Sequence, residues 1–264
     1  MNLSVITRPV TTEFQQFEAL LSQLFEGPSR PFADIMHYIN EVKGKRIRPL
    51  LVFLTAKMLG GIKETTYHTA LCVEMIHTAS LLHDDVVDGD EIRRGRPSVN
   101  VQYNNRSAIL AGDYILAKAI QVIAHPEDQP IMSEMLNTAS AMSEEELCQC
   151  IKDSSDELSQ ESYLNLITHK TAMLFRSCCA GAALSVGAKD DTVQRLADFG
   201  LKLGILFQLR DDQLDNDLPK SLVNPDSLIQ QYTQQAIELL ETFPSSEASQ
   251  SLKDLVIYCC NRDS

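Results

Sequence analysis

Glycine and proline are scarce. The 264 residues include 11 glycines and 10 prolines, together about 8 % against an average nearer 12 %. That excludes a collagen-like chain and a Pro/Gly-rich disordered one. The seven cysteines contain no CxxC pair, so a zinc knuckle is not expected. They fall at Cys72, Cys148/Cys150, Cys178/Cys179 and Cys259/Cys260, and read as small buried apolar residues in a reducing compartment. Long apolar runs are absent too. No stretch reaches the ~18 uncharged apolar residues of a spanning helix. The opening MNLSVITRPVTTEF has no basic start followed by an apolar run, so no signal peptide is visible. The expectation is a soluble, cytoplasmic protein with no transmembrane segment. Basic residues are outnumbered, 23 against 36 acidic, for a net charge of −13. This argues against bulk electrostatic binding of nucleic acid. An anionic substrate stays possible, because a local basic cluster or a bound metal can reverse the field in one cleft.

What is present is helical periodicity, nearly everywhere, with almost no clean strand alternation. Residues 11–26 form a first amphipathic segment, broken by Pro28 and Pro31. A short helix runs to about Val42, before Gly44. Residues 48–60 form the next, closed by Gly60-Gly61. Thr65 or Thr66 opens a long apolar helix that ends near Asp88 and is stopped by Gly89. Residues 106–124 follow, ended by His125-Pro126, then 128–152 and a polar break, KDSSDELS. Ser159 caps a helix over 160–187, bent near His169. Asp190-Asp191 cap another to about Asp217, which Pro219 ends. Asn224-Pro225-Asp226 reads as a cap with proline at the first helical position, and Pro244-Ser245 separates the last two helices. The sum is an all-α fold, a single-domain bundle of about ten helices over residues 1–264.

The densest feature is LLHDDVVDGDEIRRGRP, residues 81–97. Asp84 and Asp88 are four apart, so both carboxylates leave one helix face. Like charges so placed cost stability, and hard cations such as Mg²⁺ are held by one or two carboxylates plus substrate phosphates. The acidic run continues into Arg93-Arg94-Gly95-Arg96, which sets an anion-binding surface beside a cation-binding one. A second feature, FQLRDDQLD at residues 207–215, repeats the spacing with Asp211, Asp212 and Asp215, 127 positions further on. If the two helices face each other, the clusters can grip metal ions bridged by phosphates. The third is GKRIRP, residues 44–49. Its Lys45 and Arg48 are three apart at a helix start, where guanidinium fork, ammonium and helix dipole all favour a diphosphate.

Taken together, GKRIRP, HTASLLHDDVVDGDEIRRGRPSVN, HKTAMLF and FQLRDDQLD resemble the trans-isoprenyl diphosphate synthases, most closely the bacterial polyprenyl (octaprenyl- or solanesyl-type) synthases. The resemblance covers roughly residues 30–217. It implies the isoprenoid synthase type I fold around a deep central cavity, and a Mg²⁺-dependent condensation of isopentenyl diphosphate with an allylic diphosphate. It also implies roles. Asp84, Asp88 and Asp211 ligate Mg²⁺, three ions in all, with Asp85, Asp212 and Asp215 as ligands or supports. Arg93 and Lys170 hold the allylic diphosphate, with Thr171 and Gln208 beside it. Lys45, Arg48, His77 and Arg94 bind isopentenyl diphosphate. His83 and His169 are expected to be structural. Ala79 and Ser80, five and four positions before Asp84, are small where a large aromatic would block the tail. They imply an all-trans product of C20 or longer, with Ile76 and Val73 as deeper stops.

The pattern departs from the family after Asp215. The family's loop with two further lysines is missing, NDLPKSLVNPDSL leads almost directly into the last helices, and Lys220 is the only local basic residue. A shortened active enzyme, a subunit completed by a partner, and a non-catalytic homologue all stay open. So does a related terpene synthase, although that chemistry needs no second diphosphate pocket. A homodimer is the expected assembly, with a heteromeric partner as the alternative.

Overall fold

The computed structural model describes residues 2–26, 29–41, 43–151 and 158–262. The expected break at Pro28, the helix end at Val42 and most of the polar break after Ile151 lie outside them. The chain runs through α1 (Leu3–Ile6), α2 (Thr11–Leu24), α3 (Arg30–Glu41), α4 (Ile47–Met58), α5 (Glu64–Val87), α6 (Val99–Gln102) and α7 (Asn105–Val122). It continues through α8 (Gln129–Ile151), α9 (Gln160–Ile167), α10 (Met173–Ser185), α11 (Asp190–Asp215), α12 (Pro225–Glu241) and α13 (Glu247–Asn261). Among the described residues, no single helix is long and apolar enough to cross a membrane.

The local signals work largely as expected. Asn224 caps α12 through a bond from the Ser227 amide, with Pro225 at the first helical position. Gly89 sits at φ +70° directly after α5. Pro31 behaves differently. It lies in the first turn of α3, where a missing N–H is harmless, and so helps start that helix instead of breaking the one before. A two-stranded hairpin, β1 (Ile92–Arg93) and β2 (Arg96–Pro97), is also new. Its turn residues Arg94 and Gly95 both have positive φ, 53° and 77°, the signature of a tight hairpin. The run is too short for alternation to show.

The core is built round α10. Leu174, Phe175, Cys178, Cys179, Ala182 and Ala183 are all buried, and α4, α5, α8 and α11 pack on it. Gly204 of α11 lets that helix close on the segment before α10, since a Cβ there would come within 2.6 Å of Ala172 Cα. The cysteines divide. Cys72, Cys178, Cys179 and Cys259 are buried as expected, whereas Cys148 and Cys150 are exposed on α8.

The expected bend near His169 is a π-helical segment, Thr168–Ala172, joining α9 to α10. The extra residue of a π-turn shifts the helical register. Here it aims adjacent residues, Lys170 and Thr171, at different partners.

Candidate active site

Two helix ends carry the acidic motifs, and they end alike. At the end of α5 the Asp90 amide reaches back to the Asp85 carbonyl at 3.0 Å, across Gly89 in the left-handed region. At the end of α11 the Asp217 amide reaches the Asp212 carbonyl at 2.8 Å, across Asn216 at φ +62°. Each is a Schellman-type stop. Both sets of carboxylates therefore crowd the negative end of a helix dipole, where cations stabilise and anions do not.

The π-segment joins the two motifs. Lys170 Nζ lies 3.4 Å from Glu146 of α8. Burial works against its ammonium, but Glu146, Asp84 and Asp88 outweigh that and hold its pKa above the usual lysine value. The next residue, Thr171, donates to Gln208 Oε1 at 2.8 Å, and Gln208 donates to Asp212 Oδ1 at 2.6 Å. One step of backbone thus reaches the first motif with a cation and the second with a hydrogen-bond chain. Asp84 carries the electrostatic strain of this arrangement. Burial, countered by Lys170 and reinforced by Glu146 and Asp88, pushes its carboxyl up to about 6.

The other aspartates have protein partners. Asp85 is buried and accepts from Arg93 Nε at 2.6 Å, while Arg93 also reaches Asp90 at 2.7 Å. Asp212 accepts from the Tyr163 hydroxyl as well as from Gln208. Burial raises its pKa despite both bonds. Asp211 is paired at 2.6 Å with the buried Arg262, whose guanidinium lies 4.0 Å from the Phe207 ring centre. Asp88 and Asp215 are exposed at the two helix ends. Glu146, Tyr163 and Arg262 were not among the expected site residues. No sequence motif marks any of them, since each is brought in by a helix remote in sequence.

Carboxylate oxygens gathered at negative helix ends, one of them with its pKa raised by burial, suit a hard divalent cation. Among the described residues, no group of three or more Asp, Glu, His or Cys side chains is placed to hold a metal by itself.

The four residues expected to take isopentenyl diphosphate meet in one cavity of about 590 Å³, lined by Lys45, Arg48, His77 and Arg94 together with Glu74, Phe207 and Asp211. Arg46, at φ +52° immediately before α4, also lines the cavity, with its guanidinium paired to Glu18 and Glu74. Lys45 and Arg48 line it beside that pair. Arg48 donates to His77 Nε2 at 3.1 Å, so that nitrogen carries no proton. Burial first, and then the surrounding arginines, keep the His77 pKa well below its usual value. Arg48 Nε is buried without a hydrogen-bond partner, an unmet donor beside the cavity. Gly44 makes room for Arg94, because a Cβ there would come within 2.7 Å of its guanidinium.

A second cavity, about 560 Å³, is lined by Tyr163, Lys170, Thr171, Gln208, Asp212 and Lys220 among others. In the segment after α11, Ser221 donates to the Leu158 carbonyl at 2.5 Å, and the neighbouring Lys220 lines this cavity. A third cavity, about 220 Å³, is lined by Cys72 and Ile76 of α5, Leu116 and Ile120 of α7 and Met135 to Ser143 of α8. Val73 is buried and is not among its lining residues, nor are Ala79 and Ser80. Ala79 is buried, and Ser80 is half-buried, donating to the His77 carbonyl. His83 spans to the Ile109 carbonyl and Asp113 of α7, and His169 contacts the Asn165 carbonyl of its own turn.

Residues 29–224 match the polyprenyl synthetase family model. The chain is 41 % identical over 178 residues to octaprenyl diphosphate synthase of Haemophilus influenzae, covering 67 % of this chain and 54 % of that protein. It is 32 % identical over 215 residues to heptaprenyl diphosphate synthase component 2 of Geobacillus stearothermophilus, covering 81 % and 67 %. The chain thus spans between about half and two thirds of the curated relatives it matches. Among solved structures, it superposes on a polyprenyl synthase from Caulobacter crescentus, crystallised with calcium and isoprenyl diphosphate. That match has a TM-score of 0.92 at 23 % identity and covers 100 % of this chain and 98 % of the other. A decaprenyl diphosphate synthase from Rhodobacter capsulatus gives 0.86 at 26 % identity, covering 97 % of each chain.

Proposed function

The chain belongs to the polyprenyl synthetase family, and on that premise we propose that it acts as a single-domain prenyltransferase. It condenses isopentenyl diphosphate with an allylic diphosphate to make an all-trans product of C20 or longer. The observation that supports this reading is the step at Lys170 and Thr171, which sets a cation beside Asp84 and Asp88 and a hydrogen-bond chain onto Asp212, near a basic cavity that Asp211 also lines. Two diphosphate sites and an apolar pocket are what chain elongation needs.

Asp84, Asp88 and Asp211, with Asp215 at the rim, would hold Mg²⁺. A solved relative crystallised with calcium and isoprenyl diphosphate supports a divalent ion binding alongside a prenyl diphosphate. Bound with the diphosphate, the ions supply Lewis acidity that lowers the cost of breaking the allylic carbon–oxygen bond. Lys170 and Arg93 offset the charge growing on the leaving diphosphate. Thr171 and Gln208, fixed to each other and to Asp212, orient the same group. Lys45, Arg48 and Arg94 hold the second diphosphate. Neutral His77 accepts from Arg48 and so fixes the guanidinium fork without adding a competing charge. The double bond of isopentenyl diphosphate then attacks the allylic cation, and the departing diphosphate takes the proton that is lost. The apolar cavity beneath keeps water from the cation.

Exposed Ile109 and Leu110 on α7, with Leu136 and Leu147 on α8, support a self-association face for a homodimer. A second reading, a subunit completed by a different partner, is favoured by the short segment after α11 and by the similarity to a protein named as a component. The test is incubation with a short allylic diphosphate, labelled isopentenyl diphosphate and Mg²⁺. Longer prenyl products from the purified chain support the proposal. Turnover only after mixing with a full-length homologue supports the second reading, and none in either case refutes both.

A further inference from the structure

Arg93 and Arg94 are neighbours on the hairpin, one on β1 and one in the turn. Arg93 is fastened from the α5 side, by Asp85 at 2.6 Å and Asp90 at 2.7 Å. The ends of the hairpin are fastened there too. Ser98 Oγ donates to the Asp90 carbonyl at 2.7 Å, and Asn100 Nδ2 donates to the Asp85 and Asp90 carbonyls at 3.1 and 3.2 Å. Arg94 stands at the tip with φ +53°. A residue with a Cβ keeps that conformation where its surroundings enforce it.

The strand that follows the tip is gripped by α3. The Tyr38 hydroxyl donates to the Pro97 carbonyl at 2.7 Å. The Arg96 guanidinium lies over the Tyr38 ring, 3.7 Å from its centre, and donates to Glu41 at 2.8 Å. Tyr38 and Glu41 are three apart on one helix face, so a single planar cation takes both an aromatic face and a carboxylate. Arg96 follows Arg94 by two residues. Glu41 precedes Gly44 by three, and the Arg94 guanidinium rests against Gly44. The grip therefore joins the two segments that bring cations to the basic cavity, Lys45 from one and Arg94 from the other. None of Tyr38, Arg96 and Glu41 lines that cavity.

We propose that Tyr38, Arg96 and Glu41 are positioning residues, a clasp that fixes Arg94 in the basic cavity and so sets the affinity for the second diphosphate. This rests on the function proposed above, which gives that cavity to isopentenyl diphosphate. The clasp acts on one diphosphate and not the other. Arg93 keeps its own anchors at Asp85 and Asp90 when α3 lets go, whereas the tip carrying Arg94 loses its register against Gly44.

The test measures dissociation constants for isopentenyl diphosphate without metal and for geranyl diphosphate with Mg²⁺. The proteins are the unaltered chain, Arg96→Gln, Arg96→Lys, Tyr38→Phe and Ser22→Ala. Where product forms, KM and kcat are read as well. Arg96→Gln should weaken isopentenyl diphosphate about tenfold, the worth of one weakened charge-assisted hydrogen bond. Its KM should rise to match, with kcat and the affinity for geranyl diphosphate within about twofold of the unaltered chain. Arg96→Lys keeps the charge opposite Glu41 but not the planar stack, and Tyr38→Phe keeps the stack but not the hydroxyl bond, so each should fall between. Ser22→Ala removes the bond that Asn40 of α3 makes away from the hairpin, and should leave both affinities unchanged. A folded Arg96→Gln that binds isopentenyl diphosphate as the unaltered chain does overturns the clasp. So does an equal loss for geranyl diphosphate, or the same loss from Ser22→Ala. If Arg96→Gln fails to fold, Tyr38→Phe should still bind isopentenyl diphosphate about threefold more weakly, and an unchanged affinity overturns the proposal. Weaker binding by the variants with no product from any protein supports the clasp while refuting the enzymatic reading. Product with unchanged affinities does the reverse, and no binding of isopentenyl diphosphate by the unaltered chain refutes both.

Discussion

Arg262→Met should loosen the fold and tighten the metal site at once. Arg262 is 7 % exposed and bonds Asp211 at 2.6 Å and the Phe207 carbonyl at 3.1 Å, while its guanidinium covers the Phe207 ring. Its own carbonyl in turn accepts two bonds from Arg210, and methionine leaves these in place. At an effective dielectric of 20, charges 4 Å apart attract by about 4 kcal/mol before desolvation. The Asp211 side chain is 41 % exposed, so most of that is screened, and the net value of the pair is about 1–1.5 kcal/mol. Lost packing on Phe207 adds a similar amount. The variant should therefore unfold about 2 kcal/mol more easily by denaturant titration. The same pair competes with any cation for Asp211. Removing it should strengthen Mg²⁺ binding in the presence of inorganic pyrophosphate about five- to tenfold, since 1.4 kcal/mol is a factor of ten. Isothermal titration reads this without turnover. Unchanged or weaker metal affinity in a folded variant would refute the competition.

Three further outcomes follow from the same geometry. Asp84→Ala and Asp211→Ala should each reduce turnover by at least about 10³-fold, an electrostatic loss of the size expected at a developing charge. Circular dichroism should stay native, and near-normal rates in either variant would remove the assigned metal role. Because the folded-state pKa of His77 lies below the unfolded value of 6.5, the unfolded chain takes up a proton that the folded chain refuses. Stability must then fall as pH drops below about 6.5, by up to about 1.4 kcal/mol per unit. His77→Gln should lose about 2 kcal/mol less between pH 7 and pH 5, and an identical pH slope would show that His77 charges freely. Ser80→Phe should shorten the product, as should Ala79→Phe at a greater cost in stability because Ala79 is buried in packed core. Products of unchanged mass from both would send the tail elsewhere.

Much of this site could be read from the chain because its chemistry is local. Four residues and a helix period are enough to put Asp84 beside Asp88, and the repeat at Asp211 to Asp215 is visible by eye. The helix ends were legible for the same reason, through Gly89, Asn224 and Pro225. What stayed hidden depends on distant segments or on small distortions. Glu146, Tyr163 and Arg262 join the site from α8, α9 and the residue after α13, and nothing near them in sequence announces it. The separate tasks of Lys170 and Thr171 depend on a π-turn, which leaves only a trace as an expected bend. Pro31 was misread because proline ends one helix and begins another with equal ease, and the choice is made by tertiary packing.

On the function proposed above, the aspartates closing α5 and α11 act on one diphosphate. Diffraction from crystals grown with Mn²⁺ and an unreactive allylic diphosphate analogue tests it most directly, with anomalous scattering locating the metal. The account predicts manganese on Asp84 and Asp88 and on Asp211, bridged by the same diphosphate. Metal at one motif only, or two sites with no shared phosphate between them, would contradict it.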